Sequence, residues 1–273
     1  MSSTTPAAIL FERYLAVLGV RARHPSLDAL AELTAAHLAR VPFENASKLL
    51  GRHDPSRRGV PDLARYLDGI EQCRFGGTCY ANNFHLHRLL VHLGYAATLC
   101  GADMSAPNVH IVNVVSLDGR RYLADVGYGA PLVEPLAMDA ADAREIAWGP
   151  FRYVFRPRGC DGRAGLEMYC DGTRGGGYVV NPAARRIEEF AGVIAESFDP
   201  RATFMNALFV ARFGEPRPAM VRNLTLIQAS GSTWRATSIV SPDDLPRVVA
   251  REFGMPGDLV RRALDGVRLT HSL

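Results

Sequence analysis

The chain has 273 residues, 48% of them hydrophobic and 22% charged, enough for a large core shared among two or three subdomains. Its net charge is +3, carried by scattered arginines with Lys48 the only lysine, so no basic stripe marks a nucleic-acid partner. Five cysteines without a repeating spacing (Cys73, Cys79, Cys100, Cys160, Cys170) indicate neither a disulfide framework nor a zinc knuckle, and no signal pattern or membrane-length apolar run is visible, so a reducing cytoplasm is the expected setting.

The first part predicts helices. Ile9, Leu10, Tyr14, Val17 and Leu18 make one amphipathic stripe, and Leu27, Leu30, Leu33, Thr34 and Leu38 make a second, opened by Ser26 after Pro25. Pro42 then breaks the helix within Val41-Pro42-Phe43-Glu44-Asn45. Residues 51–60 are polar and turn-rich and predict a loop; a short helix over 61–70 would carry Pro61 in its first turn.

The stretch Phe75-Gly76-Gly77-Thr78-Cys79-Tyr80-Ala81-Asn82-Asn83 runs into Leu86, Leu89, Leu90 and Leu93, at i, i+3, i+4 and i+7. Thr78 is a competent N-cap, which makes Cys79 the first residue of a helix ending near Gly94. Two glycines before it allow a sharp turn and a close approach. A cysteine there faces unpaired N–H groups and the positive end of the helix dipole, which favour a thiolate. The alternative is a small, buried, apolar cysteine.

After Gly94 the period changes from about 3.6 to about 2 and β structure takes over. Residues 109–115 and 121–126 flank Asp118-Gly119, a two-residue hairpin signal of type I′. With those two residues at the turn, Asp125 faces Val112 and His110 faces Gly127, so His110 and Asp125 are diagonal neighbours on one sheet face. A slip of one residue would place them on opposite faces. Further strands are expected at 151–155, 166–170 and 178–180, with Gly175-Gly176-Gly177 as a turn. Residues 187–214 read mainly helical, broken near Asp199-Pro200. Two strands at 221–229 and 234–240 precede C-terminal helices that open at Ser241-Pro242-Asp243-Asp244.

Cys79, His110 and Asp125 are the candidates for chemistry. A thiol nucleophile needs a base within hydrogen-bond reach, and a carboxylate on the other ring nitrogen orients that base. Each has a plain alternative: His110 as a satisfied core histidine, Asp125 as a cap before Gly127. His85, His87 and His92 ride the helix after Cys79, while His24, His37, His53 and His271 are placed in polar surroundings. No histidine pairs with an acid at metal-ligand spacing, so no metal site is expected.

Four motifs stand together in order: Val41-Pro42-Phe43-Glu44-Asn45, Gly76-Gly77-Thr78-Cys79 with Asn83, His110 in its apolar strand, and Asp125-Val126-Gly127-Tyr128-Gly129 with Pro131. Jointly they resemble the arylamine N-acetyltransferases, whose patterns are V/I-P-F-E-N, R-G-G-x-C-x-E-x-N, a strand histidine and D-V-G-F-G. The resemblance covers the first half of the chain. It implies an α+β fold in three parts: a helical bundle with the cysteine (1–95), an antiparallel β-barrel-like domain with histidine and aspartate (96–190), and an α/β lid (191–273), the Cys-His-Asp arrangement being like that of cysteine proteases and transglutaminases. The expected activity is ping-pong transfer of an acetyl group from acetyl-CoA through a Cys79 thioester to an arylamine or arylhydrazine. His110 would act as base and acid and Asp125 as the orienting carboxylate. By the same resemblance Phe43 and Tyr128 line the acceptor pocket, unless they are ordinary core aromatics, and the Gly127–Gly129 backbone approaches the acyl donor, unless those glycines simply turn the chain. No permanently bound cofactor, nucleic acid or membrane is implied, and the protein would be a monomer or homodimer.

Two positions depart from the pattern. Phe75 stands where the family has arginine, with Arg74 displaced by one, and Ala81 stands where it has glutamate. Glu44 is kept, so its cationic partner is expected elsewhere, with Arg74 the candidate. The departures touch the substrate more than the triad. Related enzymes of this fold are amide synthases that close macrolactams from polyketides on an acyl carrier protein, which is the alternative activity. A transglutaminase-like thiol peptidase shares the Cys-His-Asp order but not the PFEN and DVGYG elements, and a non-catalytic binding protein would not need all three triad members.

Overall fold

Both amphipathic stripes form helices. The computed structural model, which describes residues 6–52, 54–157, 162–214, 217–231 and 233–271, begins with α1 (Pro6–Leu18) and α2 (Leu27–Arg40), followed by β1 (Phe43–Glu44), α3 (Ala46–Leu50), α4 (Leu63–Cys73) and α5 (Cys79–His92). His53 and Cys160 lie outside the described residues. Ser26 caps α2 by accepting from the Ala29 amide at 3.2 Å. Helix α1 packs on α2, α4 and α5 through Tyr14, Leu18, Leu30, Leu67, Leu86 and Leu89, all buried. Pro61 precedes α4 instead of joining its first turn. Asp62 takes the N-cap, accepting from the Arg65 amide at 2.9 Å, because a side-chain acceptor satisfies an orphan N–H that proline cannot. The short α3 was not expected; it is too brief to show a helical period.

Beyond α5 an eight-stranded, barrel-like antiparallel sheet runs β5-β4-β3-β2-β9-β8-β7-β6. Its strands are β2 (Ala96–Asp103), β3 (His110–Leu117), β4 (Arg120–Ala124), β5 (Leu136–Ala137), β6 (Arg144–Trp148), β7 (Phe151–Pro157), β8 (Ala164–Cys170) and β9 (Thr173–Ala184). The β3–β4 hairpin has the register that Asp-Gly dictates: Leu117 opposes Arg120 and Asn113 opposes Ala124. Asp118 and Gly119 both take positive φ, 49° and 75°, as a type I′ turn requires. Helix α5 lies against β2 and β3 and so carries Cys79 onto the sheet.

Gly175-Gly176-Gly177 is not a turn but part of β9. The reversal falls at Asp171-Gly172, where φ is 48° and 80°, the same device as in the first hairpin. Gly177 serves a different need: a Cβ there would lie 2.1 Å from the Leu166 carbonyl oxygen, so only glycine lets β9 approach β8.

The segment after β9 is less helical than its composition suggests. A 3₁₀ turn (Ile187–Phe190) leads into α6 (Ala191–Glu196), another 3₁₀ turn spans Thr203–Met205, and Phe209–Arg212 forms a strand, β10. Pairing overrides local propensity there, since β10 is held between β1 and β11 (Ala219–Arg222). The run 221–229 is broken at Asn223, whose φ of 48° reverses the chain between β11 and β12 (Thr225–Ser230). With β13 (Thr233–Ser238) these make a five-stranded antiparallel sheet, order β1-β10-β11-β12-β13. Helices α7 (Leu245–Phe253) and α8 (Gly257–Ala263) pack on each other, and α8 packs on α3. The fold is α+β. Among the described residues, no helix is long and apolar enough to cross a membrane.

Candidate active site

The loop before Cys79 is clamped from one side by the PFEN segment. Glu44 donates its amide to the Gly77 carbonyl at 3.0 Å, and its carboxylate Oε1 accepts the Gly77 amide at 2.8 Å. The rest of that carboxylate is taken by Ser47, through its hydroxyl at 2.6 Å and its amide at 2.8 Å. Burial pushes the Glu44 carboxyl above the usual range, and the Ser47 and Gly77 bonds pull it back only in part. Arg74 does not pair with it. Arg74 instead ends α4 in a left-handed conformation, φ 58°, beside Gly254. Backbone N–H groups and a hydroxyl thus take the place of the expected guanidinium. Gly76 belongs to the same clamp: a Cβ would meet the Pro42 carbonyl oxygen at 2.1 Å.

Thr78 occupies the N-cap position of α5, but its hydroxyl makes no capping bond, so Cys79 sits at a helix terminus with its leading N–H groups unclaimed by that side chain. Cys79 is 8% exposed. Four residues on, Asn83 faces the sheet: its Nδ2 donates to the Ile111 carbonyl at 2.6 Å and to Asp125 Oδ1 at 2.7 Å, and its Oδ1 accepts the Val126 amide at 2.9 Å. Asn83 thereby ties the nucleophile's helix to both strands of the hairpin.

Asp125 accepts four hydrogen bonds. Asn83 and the Gly127 amide (2.8 Å) share Oδ1; His110 Nε2 (2.9 Å) and the Tyr178 hydroxyl (2.7 Å) share Oδ2. Burial alone would raise its pKa, but His110, Asn83 and Tyr178 outweigh burial and hold the carboxyl below the usual range. His110 is buried, and the Cys79 side chain is close enough to act on its ring. With Nε2 engaged by Asp125, Nδ1 is the nitrogen left for the thiol. Burial works against its charged form, yet the charge and hydrogen bond of Asp125, with a smaller part from Cys79, raise His110 to about 10.

The structure therefore brings Cys79, His110 and Asp125 together. Gly127 joins them by necessity: a Cβ there would lie 2.7 Å from the Cys79 Cα and 2.6 Å from Asn83 Nδ2. Tyr128, half-buried, meets the His110 ring edge-on at 5.6 Å and Tyr178 at 5.1 Å, and burial, followed by the Asp125 charge, raises its hydroxyl to about 12. Gly129 turns the chain with φ 75° and packs under Phe43 and Phe209. Phe43 itself is buried in an edge-to-face trio with Phe204 and Phe209.

Tyr178 escaped sequence reasoning, because the register that carries it to Asp125 involves β9 and leaves no local trace. His37 was misplaced: it is fully buried on the apolar stripe of α2, seven residues after Leu30, a periodicity that was there to be read. Its Nε2 meets the Tyr66 hydroxyl at 3.2 Å; Tyr66 donates to Asn82 Oδ1 at 2.9 Å, and Asn82 donates to the Gly77 carbonyl at 3.1 Å. His85 stacks on Tyr66 at 4.3 Å. Burial lowers both His37 and His85 to about 3. Histidines held neutral bind fewer protons folded than unfolded, so their contribution is complete above about pH 6.5 and is lost as pH falls toward 3. His110 has the opposite sign: its contribution is complete below about 6.5 and is lost as pH rises toward 10. Urea titrations should show wild-type stability falling by about 2 kcal/mol or more from pH 7 to 4, with the double variant His37→Gln, His85→Gln losing less than half of that. Equal losses would place the acid sensitivity elsewhere.

Among the described residues, no group of three or more His, Cys, Asp or Glu could hold a metal ion, and Cys73, Cys79, Cys100 and Cys170 are free thiols. The arrangement is that of a thiol activated by an oriented imidazole, suited to covalent acyl chemistry.

Comparison with known proteins follows the same line. A family model described as N-acetyltransferase matches residues 26–260. Proansamycin X synthase of Amycolatopsis mediterranei (strain S699) is 36% identical over 126 residues, 42% of this chain and 46% of that protein. An arylamine N-acetyltransferase of Mycolicibacterium smegmatis is 33% identical over 153 residues, 51% of this chain and 54% of that one. The chain thus spans about half the length of the curated relatives it matches. Among solved structures, the Nocardia farcinica arylamine N-acetyltransferase matches with a TM-score of 0.75 at 27% identity, over 93% of this chain and 92% of that one. The Salmonella typhimurium arylamine N-acetyltransferase shares the fold with a TM-score of 0.78 at 18% identity, over 97% and 100%.

Proposed function

The chain belongs to the N-acetyltransferase family, and from that premise we propose that it carries an acetyl group from acetyl-CoA through Cys79 to the nitrogen of an arylamine or arylhydrazine. The observation that supports this reading is the series Asp125–His110–Cys79, closed off from bulk water, its carboxylate hydrogen-bonded to His110 and anchored at four points. His110 accepts the thiol proton through Nδ1, and the Cys79 sulfur attacks the thioester carbonyl. The C–S bond to CoA breaks, and the leaving thiolate takes the proton from the imidazolium. An amine then attacks the Cys79 thioester, gives its proton to His110, and leaves as the amide while the cysteine regains that proton. Asp125 stays ionised throughout and fixes the Nε2–H tautomer. Phe43 and Tyr128 flank the acceptor, and the Gly127–Gly129 backbone borders the donor. No bound cofactor is required, only the CoA thioester and a small-molecule amine, and a cytoplasmic setting keeps the thiol reduced. Assembly is as a monomer or homodimer.

A second reading has its own support. One relative is a synthase, and the two departures from the family pattern, Phe75 and Ala81, line a cleft beside the nucleophile. In that reading the acyl group is a long chain on a carrier protein and the product an amide or macrolactam. Intact mass after mixing with acetyl-CoA alone separates the two: a gain of one acetyl group, localised to Cys79, is the expected result. No gain with acetyl-CoA, beside ready acylation by a long-chain pantetheine thioester, would shift the assignment to the synthase activity.

A further inference from the structure

Phe75 and Ala81 line one cleft of about 690 Å³ beside the N-terminus of α5. Phe75 is drawn into the apolar core beneath the five-stranded sheet, and Ala81 ends at a methyl group next to Gly77, so neither sends a charge into this space. The cleft is also lined by Ser197 and Phe198, at the end of α6, by Lys48 on α3, and by a more exposed set of mixed sign that includes Arg57, Arg58, Asp54 and Asp68.

Lys48 is the chain's only lysine and is 8% exposed. One of its three N–H donors goes to Ser197 Oγ at 2.5 Å, and its ammonium stands over the Phe198 ring at 4.1 Å. Among the described residues no carboxylate lies within ion-pair distance of it. A buried ammonium with a hydroxyl and a ring face for company lacks the anion that would offset its lost hydration. Two donors remain for an acceptor arriving in the cleft. Ile194 and Phe198, which line this cleft, pack in one apolar cluster with Cys79, so a group held there lies on the nucleophile's side of the helix.

We propose that this cleft is a substrate pocket for a carboxylate, held by Lys48 and carried on either the acyl chain or the acceptor amine. The assignment rests on the acyl-transfer reading above. A phosphate of the donor's pantetheine arm fits less well, since the ammonium stands over Phe198, which packs in the apolar cluster of Cys79, and that phosphate lies a whole arm's length from the thioester. A charge-assisted bond in a half-closed cleft is strong enough to set selectivity.

The test compares matched substrates that differ in charge alone. In the acceptor arm, para-aminobenzoate is set against para-aminobenzamide with acetyl-CoA as donor; in the donor arm, succinyl-CoA is set against valeryl-CoA with one neutral amine. Wild-type enzyme should favour the anionic member in one arm by about ten-fold or more in kcat/KM. The arm that shows the preference tells which substrate carries the carboxylate. Lys48→Met should erase the preference mainly through KM, slowing the anionic member far more than the neutral one, while Lys48→Arg keeps part of it. Equal rates for charged and neutral partners in both arms with wild-type enzyme would overturn the proposal, even if Lys48→Met failed to fold. So would a Lys48→Met variant that slowed both members alike, because pinning α6 through Ser197 would then be the whole role of the residue. Absence of a Cys79 adduct from any thioester overturns the transfer reading itself, whereas acylation without charge preference overturns only the cleft.

Discussion

Replacing Cys79 by alanine or serine should abolish the proposed acyl transfer while the fold stands. The side chain is small and buried, and its loop is held by contacts that do not involve it: the Gly77 amide donates to the Glu44 carboxylate, and the Gly77 carbonyl accepts from the Glu44 amide and the Asn82 side chain. Stability should therefore shift by less than about 1 kcal/mol, while the rate falls on the order of 10³ or more because no other group can carry the acyl chain. The measurement pairs a steady-state assay with thermal melting of the same samples. Retention of more than a few per cent of activity in either variant removes Cys79 from the nucleophile's role. A melting point that collapsed with the activity would make the residue structural.

Asp125→Asn is the second large effect, and its cause is unusually direct. Both carboxylate oxygens accept from two donors, Asn83 and the Gly127 amide on one side, His110 and Tyr178 on the other. An amide cannot satisfy this arrangement, because its NH₂ must face donors whichever way it is turned. If the NH₂ faces His110, the imidazole turns to the Nδ1–H tautomer and points a proton at the thiol it should deprotonate. The rate should drop by ~10²–10⁴, the range seen when an oriented base loses its tautomer. The His110 pKa should fall well below about 10, since burial is then opposed only by the smaller part from Cys79. An imidazole titration by NMR reads this separately from the rate. A variant with unchanged rate and unchanged titration would mean that the carboxylate does not orient His110.

The hairpin and its two functional side chains were legible in the sequence because one local signal, Asp118-Gly119, fixes the register, and the register fixes who faces whom. The helix carrying Cys79 was legible for the same kind of reason, a period of about 3.6 behind a glycine pair. Long-range partners were not. Tyr178 lies 53 residues from Asp125, and nothing near it in the chain signals a carboxylate. Glu44 seemed to need a cation because charge counting favours ion pairs, yet three donors from two short neighbours satisfy it. Residues 209–212 read as helix because a four-residue strand has no period of its own, and pairing partners distant in sequence decide its state. The glycines at 175–177 were read as punctuation when at least Gly177 is there for the closeness of a neighbouring carbonyl.

The two-residue strand β1 ties the nucleophile's loop to a stretch of chain made much later in synthesis. Asn45 is bonded to the Phe209 amide and to the carbonyls of Phe204 and Ala207, across separations of up to 164 residues. At 5–20 residues per second, a ribosome needs on the order of 10–30 s to cover that distance. In the second half of that interval the emerging polypeptide holds Cys79, His110 and Asp125, while the strand that pairs with Phe43 and Glu44 does not yet exist. A nascent chain stalled before position 209 would contain every triad residue without the brace beneath it, so the reactive thiol becomes fully positioned only once most of the protein has left the ribosome.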